Sequence, residues 1–418
     1  MKMNTRFWTF GACFFALLTA PGEAVTHNMT VAKSPAAAVD DNKCSSIMSI
    51  ASEVLKQSDS SDDRPANVTF QLNGSVESRS DIPDEINSME EYNRVRQLGF
   101  RVVFVRAINV CGGVTGNIGG CSSVGGNYIC MAIRKGANEN LKGVQFAHEF
   151  GHNCRLGDRT DDDKWVMYYA ANTGSRSIDA NEKAAYEGHS PAPVLEPGTP
   201  SPTGHGPAHA TPPASSPLVP VKEFLRREFI HGFPIMEARR YSPADVEVAE
   251  RMLDSPDEKP SWANVVAFIG LLGGDAGAQR LIDFLTRGEG EVDDETYDAK
   301  RAAVFALGYA ANRKGDETAG RALAKAIRPK FWITDKKIAW TASHLPNAAA
   351  VARQLSALAA HGLALAGTDA AEQALREAAE ASPEEVPPQV KAVISESRAV
   401  NAKVKSQGLD RYLSAPQR

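Results

Sequence analysis

The spacing of apolar residues predicts different structures for the two halves of the chain. In the first half, helical spacing indicates helices over residues 45–57, 88–98 and 138–153, and alternating or β-branched runs indicate strands over 67–72, 101–108 and 127–133. Residues 111–126 are dense in Gly and Ser and predict a loop. Because strands and helices are interspersed, the expected fold of residues 44–189 is a mixed α/β domain.

Beyond Pro220 the apolar pattern is helical throughout. It predicts helical pairs over 262–273 with 276–285 and over 301–311 with 318–327, a weaker third pair across 338–365, and further helices over 369–381 and 388–404. The two clear pairs align at Gly270 and Gly308, at the period of about forty residues that two-helix repeats have. Residues 221–418 therefore resemble an all-α, HEAT-like solenoid, with a non-repetitive helical bundle as the alternative.

The composition changes abruptly between these two halves. Residues 190–220 contain ten prolines among small polar residues and almost no large apolar ones. Such a segment cannot bury a core, so it is expected to be an extended, semi-rigid linker. His205 and His209 lie inside it, and the proline between them argues against a helix that presents both. We assign these two histidines to the linker.

The N-terminus has the pattern of a secretory signal peptide. Lys2 and Arg6 precede an apolar run over residues 7–20, and small residues end at Ala24. The run is too short for a comfortable membrane span, so residues 1–24 are expected to be cleaved and the protein to be secreted, extracellular or periplasmic. An uncleaved membrane anchor is the alternative. Residues 25–43 are small, polar and weakly patterned, and we expect a flexible N-terminus there.

Cysteine usage agrees with export. The five cysteines after residue 24 all lie before residue 155, which is typical of one disulfide-bearing domain joined to a disulfide-free one. Cys121 and Cys130 flank a Gly-rich turn and are the expected local bridge. The odd number leaves at least one thiol without a partner in the chain.

The charge of the chain excludes one class of partner. The formal net charge is −5, and no run of Lys and Arg departs from this mild balance. Nucleic-acid-binding proteins carry a basic patch that neutralises phosphates. We therefore expect no nucleic-acid partner. No segment after the N-terminus is long and apolar enough to predict a membrane span.

Residues 144–158 carry the strongest chemical signal. His148 and His152 flank Glu149 in an HExxH motif inside the predicted helix over 138–153. Positions i and i+4 share one face of a helix, so both imidazoles can reach a single metal ion. Glu149 lies beside them, where its carboxylate can accept a proton from an attacking water. The spacing predicts a metal site with a general base.

The residues that follow extend this motif. Asp158 lies six positions after His152, and Met167 and Tyr169 follow shortly afterwards. This pattern resembles the metzincin clan of zinc endopeptidases, in its reprolysin-like or snapalysin-like branches. Their motif is HExxHxxGxxH or HExxHxxGxxD, followed by a methionine-containing turn. The resemblance covers about residues 100–188 and implies a zincin-like α/β catalytic domain.

The resemblance also implies roles for these residues. A Zn²⁺ ion would be held by His148, His152 and Asp158, with Glu149 as the general base. Tyr169 would be a second catalytic residue that helps to stabilise the oxyanion, and Met167 would form an apolar floor beneath the ligands. A protein or peptide substrate would pair with the strand over 127–133, which in the family lies at the edge of the sheet.

One position departs from the family pattern. The glycine of the motif is Arg155 here, and a residue with a Cβ atom pays on the order of 1 kcal/mol for a left-handed backbone conformation. Gly157 can shift the turn by two residues. Asp161, Asp162 and Asp163 are alternatives to Asp158 as the third ligand.

Two further readings stay open. In a gluzincin-like peptidase, Glu182 or Glu187 would be the third ligand. In a non-catalytic exported adaptor, the helical half would bind a protein partner and the zinc site would be vestigial.

Overall fold

The computed structural model describes residues 24–57, 64–112, 114–159, 163–171, 173–188, 218–313 and 317–414. The predicted signal peptide up to residue 23 and most of the predicted linker, with His205 and His209, lie outside these residues. Asp161 and Asp162, two of the substitute ligands, also lie outside them. Within the described residues no helix is long and apolar enough to cross a membrane.

The N-terminal half is mixed α/β, as its pattern predicts. Its strands and helices are β1 Val25–Met29, β2 Val31–Lys33, α1 Asp41–Lys56, β3 Val68–Leu72, β4 Glu77–Ser78, β5 Glu85–Ile86, α2 Met89–Arg96, β6 Val102–Val105, β7 Ala107–Cys111, β8 Val114–Ile118, β9 Gly120–Ser122, β10 Ile129–Ala132, α3 Glu139–Asn153, β11 Ala170–Ala171 and α4 Ala180–Gly188. The main sheet has five strands in the order β4-β2-β6-β10-β9, and β9 is antiparallel to β10 at one edge. A smaller sheet has the order β5-β7-β8.

The main sheet is covered on both faces. Successive side chains of a strand point to opposite faces, and β6 is buried along its whole length. Val102 and Phe104 pack with the cluster formed by α1 and α3. Val103 and Val105 pack with the cluster that includes α2 and β7. This arrangement places α3 directly on the sheet, next to the edge strand β9.

The prediction of a flexible N-terminus over residues 25–43 is wrong. β1 pairs parallel with β3, and β2 lies inside the main sheet between β4 and β6. Val31 and Ala32 are adjacent and both fully buried. A short strand with both faces buried does not alternate between apolar and polar residues, which is why the pattern is weak. The predicted loop over 111–126 is also partly wrong, since β8 and β9 lie within it.

The predicted disulfide is wrong as well. Cys121 bonds to Cys111 at the end of β7, over a Cα–Cα distance of 5.9 Å. Cys121 and Cys130 are direct partners in the β9–β10 ladder, so the expected turn between them does form. Cys130 nevertheless remains a buried free thiol, as do Cys44 and Cys154. The turn is therefore as predicted, but the disulfide across it is not.

The C-terminal half is helical. Its elements are α5 Val221–Leu225, β12 Glu228–Phe229, α6 Ile235–Ala238, α7 Val246–Asp254, α8 Trp262–Leu272, α9 Gly274–Thr286, β13 Glu289–Glu291, α10 Asp294–Asn312, α11 Glu317–Ala326, β14 Ala339–Thr341, α12 Ala348–Ala366, α13 Asp369–Glu380, α14 Pro388–Gln407 and α15 Leu409–Ser414. Helices α8, α10, α12 and α14 pack in succession, with α9, α11 and α13 as a second layer. The third helical pair is α12 with α13, not the segment 338–365 that the sequence predicts.

The two aligned glycines lie where helices of this stack approach closely. A Cβ atom on Gly270 would lie 2.4 Å from the carbonyl oxygen of Ala306 in α10. A Cβ atom on Gly308 would lie 2.5 Å from the carbonyl oxygen of Gly362 in α12. Only a residue without a side chain lets the backbones come this near. The repeat of glycines in the sequence therefore corresponds to a repeat of helix contacts.

Candidate metal site

Helix α3 presents its two histidines with their orientation fixed. Both side chains are fully buried. The Nδ1 atom of His148 lies 3.0 Å from the carbonyl oxygen of Val166, and Nδ1 of His152 lies 2.9 Å from that of Leu156. A carbonyl can only accept, so Nδ1 carries the proton and Nε2 is the free ligating atom of each ring. This is the arrangement of metal-binding histidines.

The turn after α3 brings Asp158 back to these histidines. Arg155 has φ 72°, in the left-handed region that favours glycine. Its N–H donates to the carbonyl of His152 (2.8 Å), and the N–H of Leu156 donates to that of Gly151 (3.0 Å). These two bonds form a Schellman motif, which normally ends on glycine. Of the two possibilities that the sequence leaves open, Arg155 adopts the strained conformation, and the turn is not shifted to Gly157, which has an ordinary φ.

Replacing Arg155 with Gly should stabilise the protein by about 1 kcal/mol, because glycine adopts the left-handed conformation without a Cβ penalty. Metal content should not change, since the path of the turn stays the same. The denaturant midpoint of unfolding measures the first effect. Gly157→Ala is the matched control: its position is open and its φ ordinary, so it should not stabilise in the same way through strain. An Arg155→Gly protein no more stable than wild type would contradict the account of this turn.

The carboxylate of Asp158 lies next to both His148 and His152. Its Oδ1 atom lies 3.1 Å from Nε2 of His148 and 3.5 Å from Nε2 of His152. The carboxylate is buried, with 2% of the side chain exposed. Among the described residues neither oxygen has a hydrogen-bond partner outside the histidines around it. A buried carboxylate in this state needs a cation or a proton beside it.

A fourth residue, His231, comes from the other half of the chain. Its Nε2 atom lies 2.9 Å from that of His148, 3.0 Å from that of His152 and 3.4 Å from Oδ1 of Asp158. No sequence pattern indicates it, because 83 residues separate it from His148 and no motif surrounds it. One signal was available in the sequence: His231 and Gly232 lie within an apolar run just after the linker.

Together these four residues could hold a metal ion. Each residue offers one ligating atom, and these atoms all lie within 4.8 Å of one another. Among the described residues this is the group of His, Cys, Asp and Glu side chains that could hold a metal ion. Three imidazole nitrogens and one carboxylate oxygen suit a borderline cation. Burial disfavours a charge on His231, yet Asp158 and Glu149 raise its pKa to about 9. The cluster thus favours a positive charge at its centre, and its residues fit a bound metal.

The pKa values of His231 and His152 are shifted in opposite directions. Burial lowers the pKa of His152 to about 3, against the pull of Asp158. A neutral imidazole is the form that ligates. For Asp158, burial works toward a higher pKa, but His231 and His148 outweigh it and hold the pKa well below its usual value. Both residues are therefore ready to coordinate.

Glu149 lies beside the cluster with one oxygen free. Its Oε2 accepts a hydrogen bond of 2.5 Å from the hydroxyl of Ser122 in the edge strand β9. Its Oε1 has no hydrogen-bond partner among the described residues and lies 3.9 Å from Nδ1 of His231. Burial raises the pKa of Glu149. A Cβ atom on Gly120 would lie 2.3 Å from Oε1, so the glycine leaves the space that this carboxylate occupies.

Met167 lies beneath the helix that carries the histidines. A Cβ atom on Gly151 would lie 2.3 Å from its sulfur. The hydroxyl of Tyr186 donates to the same sulfur (3.4 Å) and to the carbonyl of Ala147 (3.1 Å). Met167 is fully buried and is not a member of the cluster. Met167 thus packs against the part of α3 between the two histidines, and its role as an apolar floor stays a prediction.

Tyr169 is engaged elsewhere. Its hydroxyl donates to the carboxylate of Glu237 in the C-terminal half. Its ring is stacked on Phe229, with centroids 6.1 Å apart and an interplanar angle of 3°. In this arrangement the hydroxyl has a partner that is not the metal cluster, and the catalytic role of Tyr169 stays a prediction.

The alternative third ligands are not in the cluster. Glu182 accepts from the N–H of Asp179 at the start of α4 (2.8 Å) and pairs with Arg159 (3.4 Å). Glu187 pairs with Lys183, and Asp163 is exposed. The gluzincin-like reading therefore lacks a ligand where it needs one, within the part of the chain that the structure describes.

The edge of the main sheet is not where the sequence places it. β10, within the predicted strand over 127–133, pairs on both sides with β6 and β9 and has no free edge. The edge beside α3 is β9, which arises from residues predicted to be loop. An extended chain already lies there: the carbonyl of Ile230 accepts from the N–H of Gly119 (2.8 Å), and the N–H of Ile230 donates to Tyr169 (3.2 Å).

Comparison with known proteins does not assign the chain to a family. A scan against protein-family models finds no match, and a search of curated proteins finds no related sequence. The function of the cluster is therefore inferred from its own residues and their geometry.

Proposed function

We propose that this protein is an exported zinc-dependent endopeptidase of the metzincin type. One observation carries the proposal: His148, His152 and Asp158 converge in a buried site, with the unpartnered Oε1 of Glu149 next to them. A buried carboxylate with a free oxygen beside the ligands is what a hydrolase needs as its base. The HEAT-like assignment of the helical half belongs to the same proposal and is supported by the stacked helix pairs.

Zinc is the metal that this donor set suits best. Neutral imidazoles and one carboxylate are typical zinc ligands, and hard oxygen-only cages, which magnesium and calcium prefer, are absent from the cluster. Bound zinc supplies Lewis acidity, which lowers the pKa of a water molecule and polarises a carbonyl group. The other parts of the reaction come from the chain.

Glu149 is placed to move the proton. Ser122 holds Oε2, so Oε1 is the atom that can accept the proton of the attacking water. The same oxygen can then pass this proton to the leaving amine as the peptide bond breaks. A low-dielectric surrounding strengthens each of these interactions, and Glu149 is fully buried.

The peptide would bind where residues 229–231 now lie. The N–H of Gly119 and the carbonyl of Tyr169 are the backbone groups that pair with Ile230. An extended substrate uses such groups on both of its sides, which gives affinity that does not depend on sequence. The protein or peptide substrate is thus bound next to Glu149 by main-chain hydrogen bonds.

A second candidate follows from His231. Four protein ligands make a closed coordination set, which is typical of structural zinc. In that interpretation the protein is a non-catalytic adaptor, and the metal links its N-terminal half to its C-terminal half. The adaptor reading predicts no hydrolysis when His231 is removed, whereas the peptidase reading predicts that hydrolysis appears.

Digestion of a peptide library tests the proposal. Zinc-loaded full-length protein carrying His231→Ala is incubated with the library, then treated with a chelator, and finally given zinc again. We expect cleavage that is lost with the chelator and restored with zinc. A zinc-loaded, folded variant that cleaves no member of the library would overturn the peptidase proposal and favour the adaptor.

A further inference from the structure

A short segment of the C-terminal half fills the cleft of the proposed peptidase. β12 pairs antiparallel with β11, so that Phe229 is opposite Ala170 and Glu228 opposite Ala171. Ile230 then bonds to Tyr169 on one side and to Gly119 on the other. The segment is held as a strand between β11 and the edge of the main sheet, which is the binding mode of an extended peptide.

Both ends of the segment are anchored. The carboxylate of Glu228 accepts hydrogen bonds from Lys142 (3.2 Å) and Gln145 (2.9 Å) of α3. Ile230 is fully buried in the core cluster of the N-terminal half. Gly232 then turns the chain with φ +89°, a conformation that a residue with a Cβ atom adopts only with strain. These contacts hold His231 in the metal cluster.

A residue shortly after the segment engages Tyr169, to which the metzincin resemblance assigns the oxyanion. Glu237, a few residues further on, accepts the hydrogen bond of the Tyr169 hydroxyl. The segment and Glu237 together therefore contact the metal ligands, the edge strand and Tyr169, and they lie next to the base. His231 itself lies 3.9 Å from the free oxygen of Glu149.

We propose that residues 228–233, which we call the occluding segment, are an intramolecular inhibitor of the peptidase, with His231 as a displaceable fourth metal ligand. This inference rests on the proposed function. A catalytic zinc site keeps one position open for water, and a fourth protein ligand closes it. Because the segment is part of the same chain, it binds as an intramolecular ligand, which a free peptide has to displace. Peptide substrates compete with it at a disadvantage.

The four ligands have different roles in this proposal: three form the metal site, and His231 closes it. His148, His152 and Asp158 come from one helix and the turn that follows it, so all three belong to the N-terminal half. His231 joins them from the occluding segment of the other half. Removing His231 should therefore open a coordination position, whereas removing Asp158 should weaken the site itself.

Binding of a small zinc ligand tests the proposal without relying on catalysis. Acetohydroxamate is titrated by calorimetry into zinc-loaded full-length wild type, His231→Ala and Gly232→Val. The valine variant keeps His231 but strains the turn that presents it. We expect at least tenfold tighter binding to both variants than to wild type. Gly74→Val is the matched control, since Gly74 has φ +85° in open space in the turn after β3, and it should bind as wild type does.

Two outcomes separate this proposal from the proposed function. Equal binding of acetohydroxamate to wild type and to both variants, with zinc bound and thermal unfolding showing folded proteins, would overturn the occluding segment. Tighter binding to the variants together with no hydrolysis of any peptide would support the closed position of His231 and overturn the peptidase. Tighter binding with a rise in hydrolysis of at least tenfold supports both.

Discussion

Replacing Glu149 with Gln in the His231→Ala protein should lower kcat/KM for peptide hydrolysis by about 10²–10⁴-fold, the usual contribution of a general base. The amide keeps the shape of the side chain and can still contact Ser122, but it cannot accept a proton. Zinc content should stay at the level of the parent protein, because Glu149 is not a member of the ligand cluster. The measurement is a progress curve on the best peptide from the library.

Glu182→Gln is the matched control for this change. Glu182 is also a buried glutamate of the N-terminal half, 4% exposed, but it pairs with Arg159 away from the cluster. Its replacement should leave kcat/KM within a few-fold of the parent, apart from any loss of stability. If Glu149→Gln retained full activity with zinc bound, the base would have to be another group.

Replacing Glu85 with Ala should destabilise the folded protein by about 3–5 kcal/mol, because it removes one carboxylate from a buried network of arginines and leaves that network short of negative charge. Glu85 lies in β5 and faces the C-terminal half. Its carboxylate accepts hydrogen bonds from Tyr297 (2.8 Å) and Gln354 (2.6 Å) and lies 3.4 Å from Nε of Arg301. Its side chain is 5% exposed, and that of Arg301 is 1% exposed.

The cost is large because the charges around Glu85 are nearly all buried. Arg106 bonds to Asp298 (3.3 Å) and Asp294 (3.1 Å) of α10, and its guanidinium lies 4.4 Å from the centre of the Tyr297 ring. Burial opposes the charge of Glu85, yet Arg301, His344 and Arg106 hold its pKa well below its usual value. The depressed pKa means that this stabilisation is complete above the unfolded pKa of about 4.3 and declines as the pH falls toward the folded pKa.

Urea unfolding at neutral pH measures the effect, with Glu77→Ala as the control. Glu77 pairs with Arg79 at the surface, where its side chain is 53% exposed. Such an exposed pair contributes only about 0–1 kcal/mol, so the control should stay close to wild type. An equal and small loss in both variants would contradict the view that this buried network joins the two halves.

The network also bears on the adaptor reading. In that reading the helical half binds a separate protein. In the structure α10 and α12 contact the N-terminal half through Tyr297, Arg301 and Gln354. The surface that these side chains form is already used within the chain. A protein partner of the helical half, which the sequence analysis leaves open, would need another face.

Local patterns predict the parts of the site that are close in sequence. The spacing of His148, Glu149 and His152 depends on one helix, and Asp158 depends on one turn, so both follow from a few adjacent residues. The strain at Arg155 is also local and is confirmed by its φ of 72°. These features are set by backbone geometry over one or two helical turns.

Features that depend on long-range pairing do not follow from the sequence in this way. His231 reaches the cluster only because β12 pairs with β11 across the two halves. β2 has no alternating pattern because it is buried inside the sheet, and Cys121 bonds to Cys111 although its partner in the ladder is Cys130. Each of these depends on which strands become neighbours, which adjacent residues do not determine.

Zinc content of purified full-length protein, compared with that of Asp158→Ala and Glu182→Ala, tests the central claim most directly. Removing the Asp158 carboxylate takes away both a bond to the metal and the negative charge that balances the cation. We expect one zinc per chain in wild type and in Glu182→Ala, and loss of most of the zinc in Asp158→Ala. Full zinc in Asp158→Ala, or loss of zinc only in Glu182→Ala, would contradict the metal site described here.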